Sequence, residues 1–441
     1  MLTRRRFLGY GGAGILAVSS GCRPQHLDWV VNQAEASPEI NLSLADKAKL
    51  KTQKNLLLGY PVNMNTLSDD FFAWRRQLLD AGINTFAYNN VGNPFKDSAI
   101  PNNTHDFEQE LILRFGKLYG FPPGNTWGFL SHSGTDSNMH GMYMGRTLLK
   151  GRTGVLPKAY FTKEAHYSIQ ILRDLLGLET VLIETLPDGG MDPNDLKQKL
   201  ADNPSHPALV IATIGTTFKG AIDQVDRIQE ALKGYTSHLH LDAALFGGYL
   251  PFTAHAGEVS YQSQSNPALA RYDSIAVSCH KFFGFPSPAG LFITTKSHFD
   301  EFNELFSQIH NPEYIHHVPG TITCSRDAVK PAEFYFFSTP SAMDKLAEDA
   351  RSMLQNAVYL MEQMQSHFSY LQPTRVNDRS NTIFFRKPSD RIVEKYSLAT
   401  MHLDINHQKQ EYAHVVVMPH ADRKVLTEFM TDLDKDSMPL S

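Results

Sequence analysis

A chain of 441 residues, 42% hydrophobic and 20% charged, is too long for one ordinary core and has the make-up of a soluble globular protein. Its net charge of -5, with no Lys/Arg cluster interleaved with aromatics, leaves no footprint for nucleic acid. Cys22, Cys279 and Cys324 are too few for a disulfide framework and form no C-x-x-C pair.

The first 22 residues read as an export signal. Thr3-Arg4-Arg5-Arg6-Phe7-Leu8 is a twin-arginine pattern, and the mildly apolar run Gly9 to Ser20 leads to Cys22. The run is too short to span a membrane. Ser19-Ser20-Gly21-Cys22 resembles a degraded lipoprotein site, so a periplasmic or lipid-anchored protein is expected, with a cytoplasmic one as the alternative. Gly9-Tyr10-Gly11-Gly12-Ala13-Gly14 is formally G-x-G-x-x-G, but no strand precedes it and it is set aside as a dinucleotide site.

Residues 23–75 read as an arm and linker, 76–315 as a large domain and 316–441 as a smaller α+β domain. In the large domain, Asp106 to Tyr119 has the spacing of an amphipathic helix. Trp127 to Leu130 then leads through Ser131-His132-Ser133-Gly134-Thr135 into the helical run Met139 to Leu149. A strand, a small-residue turn and a helix start make an anion site of backbone N–H groups and hydroxyls. An ordinary N-cap accounts for one hydroxyl but not for the cluster. From there strands and helices alternate. Ala159-Tyr160-Phe161 precedes His166; Ala208 to Gly215 is nearly all apolar and precedes Thr216; His238 to Asp242 precedes Ala244; Ile275-Ala276-Val277 precedes Ser278-Cys279-His280-Lys281. The pattern predicts an α/β fold with a mostly parallel, doubly covered sheet and functional residues at strand carboxyl ends.

A lysine at such an end has its stem among aromatics, and desolvation favours the neutral amine that condenses with an aldehyde. Pyridoxal phosphate chemistry needs that amine, a carboxylate for the ring nitrogen and a phosphate cradle. Lys281, Asp242 and Ser133-Gly134-Thr135 supply them in order. His166 is placed to lie flat on the ring, small Ala244 leaves the other face open, and Thr216 is placed to reach ring substituents.

His240-x-Asp242-Ala243-Ala244, Ser278-x-His280-Lys281, Gly215-Thr216-Thr217-x-x-Gly220-Ala221-x-Asp223, His166-Tyr167-Ser168 and Thr321-Ile322-Thr323-x-Ser325-Arg326 together resemble the group II pyridoxal-phosphate decarboxylases. The resemblance is closest to the bacterial histidine decarboxylase branch, which is also similar to plant serine decarboxylases. It implies an aspartate-aminotransferase-like fold (fold type I), a homodimer with shared active sites, and decarboxylation of an L-amino acid, histidine first and serine or an aromatic amino acid next. It further implies Lys281 as the coenzyme's imine partner, Asp242 on the pyridine nitrogen, His166 on the ring, Ser278 and His280 beside the cofactor, and Ser325 on the neighbouring subunit's phosphate. Tyr314 is the candidate proton donor to Cα. The chain departs from the family at Asp136-Ser137, where Glu-Gly is usual, at Cys324 and Ala328, where Gly is usual, and at Pro319-Gly320, where the histidine branch commonly has Asp-Lys.

Two other readings compete. His238, His240 and Asp242 share one strand face and suggest a zinc hydrolase, though Lys281 and the phosphate turn are then idle. An exported relative that keeps the fold with weakened catalysis is the other.

Overall fold

The computed structural model describes residues 44–437 apart from 264–265, 267–268, 310 and 406–407. The twin-arginine segment and Cys22 lie outside the described residues. The helix Leu44–Gln53 falls in a unit of its own, and everything described from Lys54 onward forms a second, compact one. Among the described residues no helix is long and apolar enough to cross a membrane.

Twelve strands are described. They are β1 (Asn90–Val91), β2 (Thr126–Ser131), β3 (Lys158–Thr162), β4 (Thr180–Ile183), β5 (Ala208–Thr213), β6 (Ser237–Asp242), β7 (Ser274–Ser278), β8 (Gly290–Thr295), β9 (Ser325–Arg326), β10 (Thr382–Arg386), β11 (Ala399–Ile405) and β12 (Gln408–Val416). The central sheet has the order β2-β8-β7-β6-β5-β3-β4. β3 to β7 pair in parallel, while β8 runs against both of its neighbours, β2 and β7. Six strands therefore point their carboxyl ends the same way, as the alternating pattern predicts.

Both faces of this sheet are covered, and β5 shows why its sequence is apolar throughout. All six of its residues are buried. Leu209 and Ile211 pack with Met142 and Leu149 of the helix Gly134–Thr153, while Val210 and Ala212 face the opposite core with Ile228 and Leu232 of the helix Val225–Leu232. The small β10-β12-β11 sheet is antiparallel and is accompanied by the helices Pro340–His367 and Arg423–Ser437. The apolar piece at Leu56 to Leu58 serves this sheet: Leu58 donates to the Tyr396 carbonyl at 3.0 Å and its own carbonyl accepts from Val416 at 2.7 Å.

The first turn of Gly134–Thr153 is fixed by reciprocal caps. Ser133 Oγ accepts from the Asp136 N–H at 3.2 Å, and Asp136 Oδ2 accepts from the His132 N–H at 2.9 Å. Asp136 thus does the work of the Glu expected there. Asp136 Oδ1 also accepts from Thr323 Oγ1 at 3.2 Å, and Ser137 Oγ pairs with Ser131 Oγ at 2.7 Å. Both departing side chains are thus hydrogen-bonded, Ser137 within the turn and Asp136 both within it and to Thr323. The segment carrying Ser325 is pinned in turn. β9 pairs with β1, and the Arg326 guanidinium meets the Glu108 carboxylate with both side chains buried. Glu108 also accepts from Asn90 Nδ2 and from the Leu130 N–H, and Arg326 Nη2 donates to the Gly92 carbonyl at 3.0 Å, leaving only Arg326 Nε of this pair buried without a partner among the described residues.

Three histidines where the helix Gly134–Thr153 meets the sheet, His140 on the helix and His238 and His240 on β6, are held neutral by burial. His140 sits among Trp127, Phe129, Phe292 and Phe302, and its pKa is lowered to about 3. Burial also lowers His238 to about 4 and His240 to about 3. In the unfolded chain all three titrate near 6.5, so unfolding takes up protons in acid. Their stabilising contribution is complete above pH 6.5 and falls as the pH drops toward the folded values. By pH 5 each has given up about 2 kcal/mol. Guanidinium denaturation should show a lower midpoint at pH 5 than at pH 7.5, and His140→Leu should remove its share of that difference. A midpoint unmoved by acid contradicts this account.

Candidate active site

A cavity of about 210 Å³ opens at the carboxyl ends of the central strands. The turn after β2 contributes Ser133, Gly134, Thr135 and Asn138, and the segment after β3 contributes His166 and Ser168. Thr213, Gly215 and Thr217 come from the end of β5, Asp242 and Ala244 from β6, and Ser278, His280 and Lys281 from β7. Nine of the eleven residues read from the sequence as holding the coenzyme meet here.

Thr216 and Ser325 do not. The turn after β5 needs Gly215 at φ +100°, and it buries Thr216, whose Oγ1 accepts from the Ala221 N–H at 3.0 Å. Thr216 therefore closes the turn, and Thr213 and Thr217 take the place on the wall expected for it. Ser325 lies on β9, where its Oγ accepts from Asn89 Nδ2 at 3.1 Å. Tyr314 is 76% exposed and does not line the cavity. Asn138, Ser168 and Thr213 were not singled out. Asn138 had a legible signal, since it lies one helical turn beyond Gly134 and faces the same way.

The electrostatics suit an amine reagent. Burial lowers the Lys281 pKa, and the negative charge of Asp242 opposes the shift without abolishing it. Among the described residues the Lys281 amine has no hydrogen-bond or ion-pair partner. Asp242 is buried and accepts from the Ala244 N–H at 3.3 Å. His166 caps the helix Tyr167–Leu175, its Nδ1 facing Ser168 Oγ at 2.8 Å. Burial lowers its pKa, Asp242 raises it and Lys281 lowers it further, so the ring stands neutral on the wall.

The zinc reading finds no support in these side chains. His240 spends both nitrogens, on Ser274 Oγ at 2.8 Å and Asn138 Oδ1 at 2.9 Å. His238 is buried beneath the helix, near Ser274 Oγ and Asp273. No group of three or more His, Cys, Asp or Glu that could hold a metal occurs among the described residues.

The cavity does fit pyridoxal phosphate. The N–H groups of Gly134 and Thr135 open the helix and have no partner among the described residues, which suits an anion. A Cβ at Gly134 would collide with the Ser278 hydroxyl, so glycine keeps the crevice between the β2 and β7 turns open. Thr213 Oγ1 and His280 Nδ1 are buried polar atoms lacking a partner, as expected of a wall that meets a polar ligand.

Comparison with known proteins agrees. Residues 128–385 match the pyridoxal-dependent decarboxylase conserved domain. The chain belongs to the pyridoxal-dependent decarboxylases. This decarboxylase is 30% identical to the histidine decarboxylase of Solanum lycopersicum, over 87% of this chain and 86% of that one. It is 29% identical to the histidine decarboxylase of Pseudomonas entomophila, covering 89% and 91% of the two chains. Serine decarboxylase 1 of rice, Oryza sativa subsp. japonica, is 30% identical, covering 85% of this chain and 71% of the relative. L-methionine decarboxylase from Streptomyces sp. 590 has the same fold, with a TM-score of 0.77 at 22% identity over 96% and 100% of the chains. The protein is therefore a pyridoxal-phosphate-dependent amino acid decarboxylase of fold type I, near the histidine decarboxylases.

In this decarboxylase Gly134→Val should weaken pyridoxal phosphate binding to the apoprotein at least tenfold by filling the crevice beside Ser278. Equilibrium dialysis measures it, and wild-type affinity would contradict the cradle assignment.

Proposed function

We propose that this decarboxylase converts L-histidine to histamine and CO2 in the cavity at the carboxyl ends of the central strands. One observation carries the assignment of the chemistry: Lys281 and Asp242, from adjacent parallel strands, face the same cavity. The coenzyme supplies an electron sink for the pair released as CO2 leaves. Lys281, its pKa lowered by burial, offers the neutral amine that attaches it. Asp242 holds a proton at the ring nitrogen by charge pairing. Neutral His166 forms a flat wall against the ring, and Ala244 leaves room opposite. The Ser133–Thr135 turn would hold the coenzyme's phosphate, with Ser278 and His280 on the same cavity wall.

Histidine is favoured as substrate by relatives from plants and bacteria that match over most of both chains. Serine is the second reading, supported by rice relatives at 30% and 32% identity. The chain acts, in this proposal, as an exported homodimer. Arg4-Arg5-Arg6 supports export, and the exposed position of Ser325, outside its own chain's cavity, suits contact with a neighbouring subunit's phosphate.

Incubating the holoenzyme with an equimolar mixture of amino acids should release histamine as the main amine. Ethanolamine would establish the serine reading, and no amine would leave a weakened relative. Lys281→Ala should remove turnover and the visible absorption of the lysine-bound coenzyme. Asp242→Ala removes the partner of a buried cation and should cost roughly a hundredfold in rate. Wild-type turnover in either variant would contradict these roles.

A further inference from the structure

Asn138 lines the coenzyme cavity, is 2% exposed, and has its side-chain oxygen committed elsewhere. Asn138 Oδ1 can only accept, so the neighbouring His240 Nε2 carries the proton and donates to it at 2.9 Å. His240 Nδ1 is then bare and accepts from Ser274 Oγ at 2.8 Å. The chain Ser274–His240–Asn138 is buried throughout, and each hydrogen bond fixes the direction of the next. The ring has no freedom to turn, because it lies directly under Gly141, where any Cβ would collide with it. With Oδ1 anchored, the Asn138 amide N–H group is left without a partner among the described residues, on a wall it shares with Asp242 and the Ser133–Thr135 turn.

We propose that Ser274 and His240 are positioning residues that aim the Asn138 amide N–H into the cavity as a fixed donor to the bound coenzyme. The neutral state of His240 is part of the device. An imidazolium two residues before Asp242, on the same face of β6, would compete with the coenzyme's ring nitrogen for that carboxylate. The inference rests on the reading of the cavity as the coenzyme site.

Two replacements of His240 separate positioning from packing. His240→Gln keeps a donor where Nε2 stood and loses the Ser274 bond; His240→Asn keeps a group near Nδ1 and loses the Asn138 bond. Both shorten or unring the side chain and should lower the melting temperature of the apoprotein alike. Equilibrium dialysis of pyridoxal phosphate should give about tenfold weaker binding for His240→Asn and Asn138→Ala, the worth of one hydrogen bond in a dry site. His240→Gln should stay within about threefold of wild type, and the two weak binders should show a displaced absorption maximum of bound coenzyme. Equal affinities for the two His240 variants, or wild-type affinity for Asn138→Ala, would overturn the proposal. Should either His240 variant fail to fold, Asn138→Ala alone decides it. Lys281→Ala and Asp242→Ala run in parallel distinguish the levels. If they too bind as wild type, the cavity reading fails; if they bind weakly while Asn138→Ala does not, only this inference falls.

Discussion

An amine and a carboxylate share one small cavity without neutralising each other. The Lys281 amine has no ion-pair partner among the described residues, yet the charge of Asp242 is near enough to oppose the effect of burial on it. Had the two closed into a salt bridge, the amine would be a permanently charged, poor nucleophile and the carboxylate would be spent. Their separation is set by the backbone. Asp242 is the last residue of β6 and lies opposite Ala276 of β7, whereas Lys281 lies three residues beyond the end of β7 at Ser278. That offset keeps an acid and a base on one wall with room for a flat heterocycle to engage both.

The remainder of the fold serves this offset. A mostly parallel sheet brings several strand ends to one edge, so the phosphate turn, His166 and the Asp242 and Lys281 strands converge although far apart in sequence. The turn carrying Lys281 is braced from outside the sheet. The Asn63 N–H donates to the Lys281 carbonyl at 3.2 Å and Asn63 Nδ2 to the Phe282 carbonyl at 3.0 Å. The helix over the site is drawn close to β6 by Gly141 and Gly145. Their spacing of four on the helix matches the spacing of two between His240 and His238 on the strand.

Most of the site was legible in the sequence because its residues sit at strand ends, where an apolar run stops and a polar residue begins. Asp242 and Lys281 stand out in this way, as does the Ser133-Gly134-Thr135 turn. Thr216 falls outside the cavity lining for a reason of register. β5 ends at Thr213 rather than Gly215, and the positive φ of Gly215 turns Thr216 back toward Ala221. A strand's last residue is not resolved by its apolar pattern. The partner relations of His238 and His240 were equally hidden. Two histidines at a spacing of two suit a metal or a packed helix, and only the glycines of a segment a hundred residues earlier decide between them. Asp136 and Ser137 depart from the family pattern in type, and their side chains hold the turn through His132, Thr323 and Ser131.

Which lysine carries the coenzyme decides the roles of the acid and the amine. Borohydride reduction of the holoenzyme, followed by peptide mass mapping, reads this directly. The pyridoxyl group should be found on the peptide bearing Lys281 and on no other. Its attachment to a different lysine, such as Lys219, would contradict the arrangement of acid and amine from which the rest follows.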